Sequence, residues 1–227
     1  MSEERVREAL REARLEAAPF AAAVLFTNLS LAVASRQAGW ELFGASDWWA
    51  WLLIGAPSAL LVVTFTAGLG HMGVDRRRRE VVIGLLVLLG CGNAAGIGCV
   101  VVSLTTWAPG GLQLLASAAV VLMTNAITFA LVFWELDCGG PVARAVADRR
   151  EWPDFQFPQD ENVQLARPGW SPRLVDYAYL SVTNSVAFSP TDAMPLTHSA
   201  KLLMAIEATV SGVTVLLVAA RAINVLG

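Results

Sequence analysis

Apolar segments long enough to cross a bilayer constrain this chain more than any other feature. A helix needs about 20 largely apolar residues to span the hydrocarbon core. Five stretches approach or exceed that length: Phe20–Ser35, Trp48–Leu69, Val81–Leu104, Leu112–Trp134 and Ala200–Leu226. The first is short but can extend through Ala17 into the preceding charged segment. Composition agrees. Charged residues make up 15% of the chain and hydrophobic ones 56%, against roughly 25% charged in soluble domains. Trp48, Trp49, Trp51, Trp107 and Trp134 stand at segment ends, where the indole ring anchors at the membrane interface. The expected class is an all-α, polytopic helical membrane protein.

Arginine placement orients the spans. Arg5, Arg7, Arg11 and Arg14 precede the first, Arg36 alone follows it, and Arg76 to Arg79 follow the second. None lies between the third and fourth, and Arg144, Arg149, Arg150, Arg167 and Arg173 follow the fourth. The positive-inside rule places the N-terminus and the Arg76–Arg79 loop in the cytoplasm. The expected site is a plasma (inner) membrane, multi-pass. The arginine run reads as a topology signal, so no nucleic-acid partner is expected. "SEERVREALREARLEAAPF" lacks a short apolar core with a small-residue cleavage site and reads as an amphipathic helix.

The expected organisation is a cytoplasmic amphipathic helix over 1–17, a four-span bundle over 18–135, a polar Pro-rich loop over 136–172 and a hairpin over 173–227. Within the bundle, "GCGNAAGIG" carries Gly92 and Gly96 at GxxxG spacing, which lets a neighbouring backbone approach closely; packing inside the chain is favoured over an oligomer seam. Asn28, Asn93 and Asn125 are each expected to bond across helices. Thr64, Thr66, Thr105, Thr106, Thr209, Ser211 and Thr214 are expected to bond their own helix backbones. Cys91 and Cys99 read as buried, small apolar side chains. The first four spans hold no mid-membrane ionisable residue, which argues against a voltage sensor or a proton-relay pump.

Pro153, Pro158, Pro168 and Pro172 bar a regular helix over the polar stretch. Trp152, Phe155, Phe157 and Trp170 are expected to pack on the membrane surface. Its carboxylates have no His, Cys or Ser constellation beside them, so no enzyme is expected. Clustered metal ligands are lacking too, and neither a metal nor a cofactor is expected.

Leu174–Phe188 is about fifteen residues and carries Asp176, Ser181, Thr183, Asn184 and Ser185. That is short and polar for a span and fits a re-entrant half-helix ended by Pro190. Irregular backbone at membrane depth must be buried in protein or line a watery cavity. Hydroxyls and an amide at its tip can replace part of an ion's hydration shell. Glu207, in the last span, reads either as a path-facing acid or as a partner for Lys201 or His198.

"DYAYLSVTNSVAFSPTDAMPLTHSAKLLMAIEATVSGVTVLLVAAR" resembles the pore module of tetrameric potassium-type channels over about the last fifty residues. "AFSPTD" stands where that family has TVGYGD, so Asp192 matches its filter-exit acid, Pro195 and Thr197 its turn, and Glu207 its early inner-helix acid. The earlier spans with "FALVFWELDCGG" and "DFQFPQ" are similar to a bacterial family of multi-span membrane proteins. The resemblance implies a homo-oligomer, a tetramer, with Thr183, Asn184, Ser185, Phe188, Ser189, Pro190, Thr191 and Asp192 lining a filter for small ions. Ser189-Pro190-Thr191 replaces GYG. Without the glycines, the carbonyl stack that coordinates potassium is not expected. A filter of Ser, Thr and Asp side chains favouring cations is expected instead, within a membrane of lipid. The alternative is a non-conducting scaffold built on a channel-like hairpin.

Overall fold

The computed structural model describes residues 3–40, 48–66, 76–106, 110–147, 152–187 and 193–226. The amphipathic segment and the first apolar run form one helix, α1 (Glu3–Ala38), which passes through Pro19 without breaking. It is followed by α2 (Trp49–Thr66), α3 (Arg76–Thr106) and α4 (Gly111–Leu136). Short elements come next: α5 (Pro141–Val146), β1 (Phe155–Gln156) and α6 (Pro158–Glu161). The C-terminal part holds α7 (Leu174–Ala187), β2 (Met194–Pro195) and α8 (His198–Leu226). Among the described residues, five helices, α1, α2, α3, α4 and α8, are long and apolar enough to cross a membrane. The chain is a helical, multi-pass membrane protein by that measure.

Small residues set the helix contacts. Gly55 of α2 lies so close to α1 that an added Cβ would stand 2.9 Å from Asn28 Cβ. Gly92 and Gly96 of α3 face Ile54 and Trp51 of α2, with Gly96 also against Val121 of α4. The GxxxG surface therefore packs inside the chain. Asn93 joins α3 to α4, accepting from Thr124 at 3.0 Å and donating to Thr128 at 3.4 Å. Asn125 joins α4 to α8 through Ser211 at 3.1 Å. Asn28 departs from the expected interhelical bond: it donates to Val24 of its own helix at 2.9 Å, because Gly55 packs against its side-chain carbons. The backbone bonds expected for Thr64, Thr66, Thr209 and Thr214 are present. Ser211 is instead the acceptor for Asn125. Cys91 is exposed on α3, and Cys99 is half-buried against the cluster of Leu31, Trp51, Ile97 and Val121, so neither is fully buried as expected.

The aromatic residues expected on the membrane surface divide. Phe155 and Phe157 are buried in the core, Trp170 is half-buried against Phe157, and Trp152 is exposed. Their rings continue an interior series from Phe133 of α4 through Phe155 to Tyr177 of α7, with centroids 5.1 and 6.2 Å apart. A polar, proline-rich stretch is thus tied down by its aromatic side chains, which remove more apolar area from water here than on an interface.

Asp137, fully buried at the end of α4, fixes this arrangement. Its Oδ1 accepts from the Asp154 amide at 2.7 Å and the Phe155 amide at 3.3 Å, and its Oδ2 from the Tyr177 hydroxyl at 2.5 Å. Arg144 donates to the Trp134 and Asp137 carbonyls at 2.7 and 2.5 Å, satisfying acceptors that the end of α4 leaves open. The chain turns there through Gly140 (φ +102°), where a Cβ would stand 3.3 Å from Glu135 Oε1. β1 pairs antiparallel with β2, Phe155 opposite Pro195. The Leu196 amide donates to the Asp154 carbonyl and Thr197 to the Asp154 carboxylate. At its start, α7 receives Glu16 of α1, whose carboxylate accepts from Arg173 at 2.5 Å and from the Leu174 amide at 3.2 Å. Both α7 and α8 therefore start from the end of the bundle at which α4 finishes.

Candidate functional site

The site lies where α7, α8 and α4 meet. α7 has 14 residues, so at 1.5 Å per residue it is about 21 Å long, short of the roughly 30 Å hydrocarbon core. Leu174, Tyr177, Leu180, Ser181, Asn184 and Ser185 are its buried positions. They recur at three- and four-residue spacing, so a single stripe faces the bundle. The stripe is apolar near the start of α7 and polar in its second half.

The polar half converges on one acid. Glu207 of α8 is buried, with 0% of its surface exposed. The Ser181 hydroxyl lies in hydrogen-bond contact with Glu207 Oε1, and the Ser185 hydroxyl donates to the same oxygen at 3.0 Å. Asn184 Nδ2 donates to Glu207 Oε2 at 2.6 Å and to the Met204 carbonyl at 3.0 Å. Ser181 also stands 2.7 Å from the Ala126 carbonyl of α4. Asn125, one residue earlier, bonds Ser211 one turn beyond Glu207. A carboxyl group at membrane depth is costly unless polar groups surround it. Three consecutive polar positions of the α7 stripe do so here.

This corrects the pairing expected for Glu207. Lys201 and His198 are exposed near the start of α8, and Glu207 takes its partners from α7 instead. Lys201 lies six positions earlier, nearly two turns away, and its side chain is on the outer surface.

Among the expected filter residues, the structure brings Asn184 and Ser185 together at Glu207. Thr183 is half-buried and bonds the Tyr179 and Leu180 carbonyls of its own helix, both at 2.9 Å. Phe188, Ser189, Pro190, Thr191 and Asp192 lie outside the described residues. Ser181 completes the cluster although it precedes the expected filter; it is one turn before Ser185, and that spacing was the signal. Asn125 and Ser211 belong to the same polar seam.

Comparisons with protein-family models, curated proteins and solved structures find no match to this chain.

Proposed function

We propose that this is an ion-channel-like protein of the plasma (inner) membrane, in which α7 and α8 line a pathway for small cations. The observation that carries the reading is Glu207: a fully buried carboxyl group within a membrane-grade helix, met by Ser181, Asn184 and Ser185. Intramembrane acids of this kind mark ion paths more often than packing needs. In this reading α7 is a re-entrant half-helix that enters from the cytoplasmic side. Its support is the length of α7 and the shared starting end of α7 and α8. With the N-terminus cytoplasmic, as arginine placement argues, five crossings put the C-terminus outside. That is the inverted pore-loop arrangement of glutamate-receptor channels. One α7–α8 pair cannot enclose a path, so the working form is a homo-oligomer, by resemblance a tetramer.

Cation flux through purified protein in liposomes tests the reading. Flux that falls in Glu207→Gln supports it, and no flux under any ion gradient overturns it. With Ser189-Pro190-Thr191 in place of GYG, reversal potentials under opposed potassium and sodium gradients are expected near zero. A potassium Nernst slope would refute the argument from glycine. A second reading, a non-conducting scaffold, draws on the same cluster, because the Glu207 oxygens are closed off by donors from α7. It expects a folded protein, no flux, and lost stability when those donors are removed.

A further inference from the structure

The Ser181 hydroxyl at Glu207 has more acceptors within reach than it has protons. A serine hydroxyl carries one proton. The Ser181 oxygen nevertheless stands within hydrogen-bond reach of two acceptors, the Ala126 carbonyl at 2.7 Å and Glu207 Oε1. The carbonyl has no proton to give. When the Ser181 proton points to Ala126, the contact with Glu207 needs a second proton, and only the carboxyl group can supply it. Asn184 has no spare donor, since Nδ2 already serves both Glu207 Oε2 and Met204.

The surroundings agree. Helices α4, α7 and α8 present Asn125, Ser181, Asn184, Ser185 and Ser211 to this region, and none of these titrates. Among the described residues, no Lys, Arg or His is within ion-pair distance of Glu207. A bare carboxylate buried without a counter-charge is strongly disfavoured.

We propose that Glu207 is a proton-binding site of the membrane interior, a neutral acid donating to Ser181 while Ser181 donates to Ala126, and that the proton is the ion exchanged along α7 and α8. That the proton is the ion moved rests on the pathway reading; that the proton resides on Glu207 does not. Only O–H bonds change in the exchange. The Glu207 O–H breaks, the proton passes to water, and the Ser181 hydroxyl turns from Ala126 to the carboxylate. The ionised acid then accepts from Ser181, Asn184 and Ser185, so one set of side chains accommodates both states.

Infrared spectroscopy of the full chain in lipid, at neutral pH, reads the proton directly. The expected result is a protonated-carboxyl C=O band that is lost in Glu207→Gln and shifts in Ser181→Ala, where its hydrogen-bond partner is gone. Ser181→Ala removes one oxygen from a small residue and serves even where Glu207→Gln fails to assemble. A spectrum with no such band, or a band unmoved in Ser181→Ala, overturns the proposal whatever the flux assay gives. The second arm is acidification of a dye inside liposomes under a pH gradient. Proton flux in wild type that is lost in Glu207→Gln supports the exchange. With the band present and no flux of any cation, the pathway reading fails and the proton's role as the moved ion is overturned with it. With the band present and flux of another cation only, the pathway and the proton's place on Glu207 stand, and the proton's role as the moved ion is overturned.

Discussion

Replacing Asp137 by alanine should release the segment that joins α4 to α7 and α8. The side chain is fully buried and accepts from the Asp154 amide, the Phe155 amide and the Tyr177 hydroxyl. The bonds at 2.5 and 2.7 Å have good geometry, while the one at 3.3 Å is long. A buried donor left without its acceptor costs about 1–3 kcal/mol. Taking about 1.5 kcal/mol for each of the two good bonds gives about 3 kcal/mol, which corresponds to roughly a hundredfold change in an opening equilibrium. Amide hydrogen exchange in detergent micelles measures this at residues 154 and 155, expected to exchange roughly a hundredfold faster in Asp137→Ala. Asp137→Asn keeps a carbonyl oxygen for the amides and can donate to the Tyr177 oxygen, so its cost should be nearer about 1 kcal/mol. Equal protection at 154 and 155 in Asp137→Ala and wild type would show that the buried aromatic rings hold the segment unaided, and would refute the hydrogen-bond argument.

Three further outcomes are expected. Gly55→Ala places a methyl 2.9 Å from Asn28 Cβ and should destabilise the α1–α2 contact by about 1–3 kcal/mol, whereas Gly92→Ala, whose methyl would stand at ordinary contact distance, 3.4 Å from Ile54 Cγ2, should cost much less; thermal unfolding of the two variants compares them. Thr183→Val removes a hydroxyl that, among the described residues, bonds its own helix, so unfolding temperature and any flux should stay near wild type, and a lost flux would return Thr183 to the ion path. The Glu16 hydrogen bond, with its charge, holds the Arg173 guanidinium above its usual pKa. A raised basic pKa gives stability that is complete below the unfolded value and lost only above the folded one, so this pair should add no pH dependence across the neutral range. Because Arg173 is exposed, Glu16→Gln should cost under about 1 kcal/mol, and unfolding measured at high salt should shrink the difference.

The spans were legible in the sequence because each carries its own signal, a run of apolar residues. The expected Val81–Leu104 lies inside α3 and Leu112–Trp134 inside α4. What the segments do to one another was less legible. Glu207 meets Ser181 across 26 positions and Asn125 meets Ser211 across 86, and nothing local to Glu207 distinguishes those partners from Lys201. The polar spacing along α7 announced a face; the identity of the group it faces required the third dimension. Phe155 and Phe157 were misplaced for a related reason. Aromatic residues among prolines fit a membrane interface as well as a core, and the buried carboxylate of Asp137 that draws the segment inward lies 17 and 18 positions from the amides it binds.

The order of synthesis gives the Glu207 cluster a consequence for biogenesis. Ser181, Asn184 and Ser185 leave the ribosome before the acid they serve. A nascent chain ending near residue 200 would hold a 14-residue helix whose hydroxyls and amide have no carboxyl group to meet. The apolar run of α8 delivers Glu207 to the three donors on α7. The α7 contacts that run through Glu207 therefore form only after the last span is made.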